Sequence, residues 1–198
     1  NNIMSCTNGV ICRSKLNRAN VDKVKDTISF IMSHPKINKI EIADANFGIV
    51  PTDVEYMQHM IDENAKRDEN IYLTMGGFAK NGSPYTEKIM RMMYSTFDAY
   101  HGRKYIKLSF QSHDPEVLKA VNRGNLDNEK LVPMMKRFQA EGVEVDAEII
   151  IGMPGDNSDR WLNTIQRNMD LNINHQKSFT LYVVPNTPMA SQEYREKY

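Results

Sequence analysis

The residues best suited to chemistry fall in a few short segments rich in glycine, proline and polar side chains. Asp44 and Asn46 lie in ADANFG (43–48), where side-chain or backbone oxygens can accept from an amino group. Ser109, Gln111 and Ser112 (SFQS) offer donors and acceptors for hydroxyls. Arg123 carries a planar fork that can clamp a carboxylate. In GMPG, Gly152 and Gly155 let backbone approach a flat ring, and Pro154 stiffens the turn between them. Asp146 and Glu148 are paired carboxylates of the kind that acid–base catalysis uses. Each has a plainer reading as well: an Asx-turn for Asp44 and Asn46, a surface charge for Arg123, a strand-to-helix turn for GMPG, and an ion pair with Lys107 for either carboxylate.

Other chemistries find no residues to carry them. The five histidines are scattered and form no His-x3-His pair, so a zinc site is not expected. There is no Gly-x-Ser-x-Gly elbow and no Walker loop. The two cysteines, Cys6 and Cys12, share one short segment, which fits a reducing compartment better than a disulfide framework. With 25 Lys+Arg against 25 Asp+Glu, nothing in the charge balance calls for a nucleic acid or a membrane as partner. The expectation is one domain over residues 1–198 of a cytoplasmic protein.

The polar segments share one position, since each follows or ends a run that reads as a strand. The strands are expected at 38–43, 71–75, 104–111, 143–151 and 179–184. Helices are expected at 21–32, 52–65, 84–95, 115–121, 128–141, 158–171 and 191–197, with a Thr52-x-x-Glu55 capping box opening the second. Strands alternating with helices predict a parallel α/β fold, because parallel strands need crossovers of about a dozen residues. The strands also alternate in polarity. Lys107, Ser109 and Gln111 interleave with Ile106, Leu108 and Phe110; Asp146 and Glu148 with Val145, Ala147 and Ile149; Ser178, Thr180 and Tyr182 with Phe179, Leu181 and Val183. One polar and one apolar parity predicts a partial (β/α) TIM-like barrel, with the apolar parity under outer helices and the polar one lining a lumen. Methionines at helical spacing (Met57/Met60, Met90/Met93, Met134/Met135) are read as core packing.

Taken in order, the motifs resemble the radical S-adenosylmethionine (radical SAM) family, in its cobalamin (B12)-associated branch. ADANFG is similar to the acidic-Asn-Phe element of that branch; LSFQSHDPEVLKAVNRGN resembles its strand ending in Gln-Ser and the helix leading to Asn-Arg; EIIIGMPGDN resembles its Gly-Leu-Pro-Gly-Glu turn; LYVVPNTPMASQEYREKY looks like the sixth strand and its exit. The resemblance implies SAM contacts at Asp44, Asn46, Ser109, Gln111, Ser112, Arg123, Glu148, Gly152 and Pro154. It further implies a [4Fe–4S] cluster held by a Cys-x3-Cys-x2-Cys loop, reductive SAM cleavage, and radical chemistry such as methyl transfer. Cobalamin would sit in a separate domain, an electron donor such as flavodoxin or ferredoxin would feed the cluster, and the substrate would be a small molecule or peptide.

The N-terminal segment departs from the pattern. CTNG (6–9) resembles the end of the cluster loop, which makes Cys6 the third cluster ligand, yet the second falls at Ile3. The expectation is a chain lacking the first barrel strand and most of the cysteine loop, inactive by itself though part of an active enzyme. Two rivals are a cluster-free α/β-barrel enzyme using Asp146 and Glu148, and a non-catalytic SAM-binding fragment.

Overall fold

A computed structural model of the chain describes residues 19–44, 47–75, 83–97, 102–123 and 128–198. In chain order the elements are α1 (Val21–Met32), β1 (Lys39–Ile42), α2 (Pro51–Asn64), β2 (Tyr72–Met75), α3 (Pro84–Thr96), β3 (Tyr105–Gln111), α4 (Pro115–Ala120), α5 (Asn128–Ala140), β4 (Glu144–Ile151), α6 (Ser158–Asp170), β5 (His175–Thr180) and α7 (Gln192–Lys197), with a 3-10 turn at Pro188–Ala190. The described residues divide into two compact units, one of 19–108 and 129–144, the other of 109–123, 128 and 145–198. No helix among them is long and apolar enough to cross a membrane.

In the first unit β1 and β2 pair in parallel, Lys39 beside Tyr72 through Ile42 beside Met75. Asn20 opens α1 by accepting from the Lys23 amide at 3.0 Å. At the end of α1 and just beyond it, Arg67 donates to the carbonyls of Met32, His34 and Ile37, and the Ile37 amide also donates to the His34 carbonyl. The Thr52–Glu55 capping box is not formed. Instead Asp53, only 6% exposed, accepts from the amides of Gly48 (2.8 Å) and Val50 (3.2 Å) and so ties down the turn that follows ADAN. The methionines read as core are buried, with Met57 and Met90 at 0% exposure and Met135 at 1%. Full burial of such a side chain contributes about 1.5–3 kcal/mol. On the outside, Glu87 of α3 holds Arg137 of α5 at 2.6 Å, and Arg91 crosses to Glu141 at 2.8 Å.

In the second unit the end of β3 and most of β4 join β5 in the order β3-β4-β5. The apolar parity is buried as expected along β3 and β4, with Ile106, Val145, Ala147 and Ile149 all at 0% exposure, and the polar parity is half-buried. The fifth strand differs from its expectation. It runs over His175–Thr180 rather than 179–184, and all six of its residues are exposed. Its register puts Lys177 beside Glu148 and Phe179 beside Ile150, so Phe179 shares the face of the polar parity and Ser178 the face of Ile149. Parallel partners point to the same side. Gln176, on the face of Ala147 and Ile149, accepts from Asn168 of α6 at 2.7 Å, a polar contact where the alternation had predicted an apolar one.

Candidate functional site

The candidate site is built in the second unit from the segments that follow β3 and β4. β3 ends on Gln111, whose φ of 68° lies in the left-handed region that a long side chain rarely adopts. Gly152 (80°) and Gly155 (76°), in the turn beyond β4, are also left-handed, which glycine adopts freely, as is Asn122 (51°) after the helix that follows β3. Ser112 is buried at 3% exposure, with its hydroxyl 3.4 Å from that of Thr164 and accepting from the Asp114 amide at 3.1 Å. The hydroxyl of Ser112 is thus committed to the chain. Ser109 donates to Glu148 at 2.9 Å, which brings these two predicted residues together across neighbouring strands.

α4 carries Arg123. Asp114 caps its first turn, accepting from the amides of Glu116 (2.9 Å) and Val117 (3.0 Å). At its end Asn122 takes the left-handed conformation, and the Arg123 amide donates back to the Leu118 carbonyl at 2.9 Å. The guanidinium then turns to β3, where Nη2 donates to the Ser109 carbonyl at 2.5 Å. Nη1 is buried and has no hydrogen-bond partner among the described residues. Burial also pulls the Arg123 pKa below its ordinary value. A buried guanidinium nitrogen without an acceptor is costly unless an anion completes it.

GMPG folds as a turn pinned by Met153, which packs among Val117, Leu118, Val121 and Met189. Beside it lies an open cavity of about 230 Å³ lined by Ile151, Gly152, Asp156, Asn157, Ser158 and Trp161. A Cβ added at Gly152 would meet nothing within 4 Å, so the glycine faces open space. Pro154 is half-buried next to it. Asp156 is held above the ordinary carboxylate range, first by burial and then by the charge of Asp114.

Of the remaining predicted residues, Asp44 stands exposed two positions beyond β1 in the first unit. Asn46 and Cys6 lie outside the described residues. Sequence reasoning missed several residues that hold the site. His113 stacks on Phe110 with ring centres 4.6 Å apart and donates through Nε2 to Asn168 Oδ1 at 2.7 Å. Burial lowers its pKa, with Asn168 opposing and the charge of Arg167 adding to the fall. Arg160 reaches from the first turn of α6 to the Gly155 carbonyl at 2.5 Å. Only the Asp-Pro pair at 114–115, a helix-opening signature, could have pointed to any of them.

No family model matches the chain. It is 26% identical over 195 residues, 98% of its length, to the cobalamin-dependent radical SAM methyltransferase TokK of Streptomyces tokunonensis. It is 25% identical over 190 residues, 95% of its length, to 2-(S-pantetheinyl)-carbapenam-3-carboxylate methyltransferase of Streptantibioticus cattleyicolor. The chain spans 28% and 27% of these two relatives. In fold it is similar to the radical SAM methyltransferase TsrM of Kitasatospora setae, solved with cobalamin and a [4Fe–4S] cluster bound (TM-score 0.64, 16% identity, 87% of this chain and 31% of TsrM). TsrM has also been solved with tryptophan substrate and a SAM analogue. The likeness is one of fold to radical SAM enzymes, and the described residues hold five strands in two parallel sheets, β1-β2 and β3-β4-β5. Both of the sequence relatives, which match the chain nearly end to end, are methyltransferases, and TokK is a cobalamin-dependent radical SAM enzyme.

Proposed function

We propose that the chain forms the SAM-binding part of a radical SAM methyltransferase of the cobalamin-dependent kind, acting on a small molecule. The observation that carries this reading is the buried Arg123 Nη1, which lacks an acceptor among the described residues in the unit that also holds the GMPG cavity. A zwitterionic amino acid joined to a nucleoside meets both needs, a carboxylate for the guanidinium and a flat ring for the open face of Gly152. Ser109, Gln111 and Glu148 would hold the sugar hydroxyls, Ser112 would act through its backbone, and Pro154 would stiffen the turn under the ring. Asp44 and Asn46 would accept from the amino group, and Cys6 would ligate the cluster. When bound, the cluster supplies the electron for reductive cleavage of SAM. An electron donor and a cobalamin-binding domain complete the proposal.

The test is binding, because it needs only this chain. Equilibrium dialysis with labelled SAM should show saturable binding that S-adenosylhomocysteine displaces. Absence of saturable binding would overturn the reading. The methyl-transfer part is tested separately by following label from SAM to a small-molecule acceptor in the presence of cobalamin.

A further inference from the structure

Arg160 breaks a local rule. It occupies the first turn of α6, where the helix dipole disfavours a cation, so some other interaction has to offset its placement. Its side chain makes two contacts that belong to different halves of the proposed site. Nη1 donates to the Gly155 carbonyl at 2.5 Å, and Nε lies 3.4 Å from Asp114 Oδ2. Asp114 uses its other oxygen to cap α4, so Oδ2 is the atom left to meet the arginine. At its far end α4 fixes Arg123 through the amide of that residue. Its last residue, Ala120, lies close enough to the turn that a Cβ on Gly155 would approach the Ala120 Cβ to 4.0 Å. The arginine therefore links the GMPG turn to the start of the helix whose end presents the unpartnered guanidinium.

We infer that Arg160 is a positioning residue that sets the distance between the carboxylate end of the SAM site, at Arg123, and the ring end, at Gly152–Gly155. This rests on the SAM reading above and adds to it a residue that touches no ligand. An arginine suits the role because its planar, rigid guanidinium holds two separate partners, a carbonyl at Nη1 and a carboxylate beside Nε, in one geometry. Loss of the link should leave each half able to bind its own fragment and impair only a ligand that spans both.

The test is calorimetric titration of the whole chain with S-adenosylhomocysteine, which spans both ends, and with adenosine, which reaches only the ring end. Arg160→Met and Asp114→Asn should each weaken S-adenosylhomocysteine about tenfold and leave adenosine unchanged, and the double variant should be no weaker than Arg160→Met. Asn at 114 keeps the helix cap, so that variant carries the test should Arg160→Met fail to fold. Unchanged affinity in either variant, full additivity of the two, or equal losses for both ligands would overturn the inference while leaving the SAM site standing. A wild-type chain that binds neither ligand would overturn the SAM reading itself.

Discussion

Arg123→Met is the substitution whose consequence can be worked furthest. It deletes a half-buried cation whose Nη2 holds the Ser109 carbonyl at 2.5 Å and whose Nη1 has no acceptor among the described residues. The bond to Ser109 is an internal one, worth about 1 kcal/mol net, so the fold should lose little. Removing one partner of a buried charge pair at an interface costs about 2–5 kcal/mol, and partial exposure argues for the lower part of that range. At 2–3 kcal/mol, the dissociation constant for SAM should rise about 30- to 150-fold. Decarboxylated SAM keeps the amine, sugar and ring, so it isolates the carboxylate. Its affinity should be the same for wild type and variant when measured by calorimetry, and Arg123→Lys, a point charge without the fork, should fall between the two for SAM. Equal losses for SAM and its decarboxylated form would refute the carboxylate assignment, since the variant would then have damaged the site generally.

Three further outcomes concern stability and are read from chemical or thermal unfolding. Gly48→Ala should cost about 2–4 kcal/mol, combining the left-handed strain of alanine with overpacking, because φ is +96° there and the new Cβ would lie 3.1 Å from the Thr86 backbone. Asp53→Ala should lose about 2 kcal/mol in urea unfolding, as it strands the buried amides that Asp53 now pairs, whereas Asp53→Asn should lose less. His113 sits below its ordinary pKa of 6.5, so the unfolded chain binds its proton more readily. Stability should therefore fall as pH drops from 6.5 towards the lowered value, and His113→Gln should flatten that part of the profile.

What was legible from the amino acids follows from what each signal measures. β3 and β4 were placed within a residue or two because strict alternation of Ile106, Leu108 and Phe110, and of Val145, Ala147 and Ile149, reports a strand with one face under helices. β5 was misplaced because its residues, HQKSFT, are held by polar docking through Asn168 and by pairing with β4, neither of which leaves an apolar period. The helix starts were read from caps, and α2 shows the limit of that signal: Thr52 and Glu55 had the right spacing, while the helix begins earlier, at Pro51, so that Asp53 stands at its third position and accepts from the Val50 amide. At the site, the residues that present chemistry were visible as motifs. Those that hold it, Asp114, His113, Arg160 and Asn168, were not, because their pairings span long stretches of chain.

The central claim, that α4 and the GMPG turn form the two ends of a SAM site, is tested most directly by a crystal structure of the chain grown with SAM. The claim predicts a methionyl carboxylate on Arg123 Nη1 and the adenine in the cavity beside Gly152. Density for SAM elsewhere, with Nη1 paired to a residue of the chain, would contradict it.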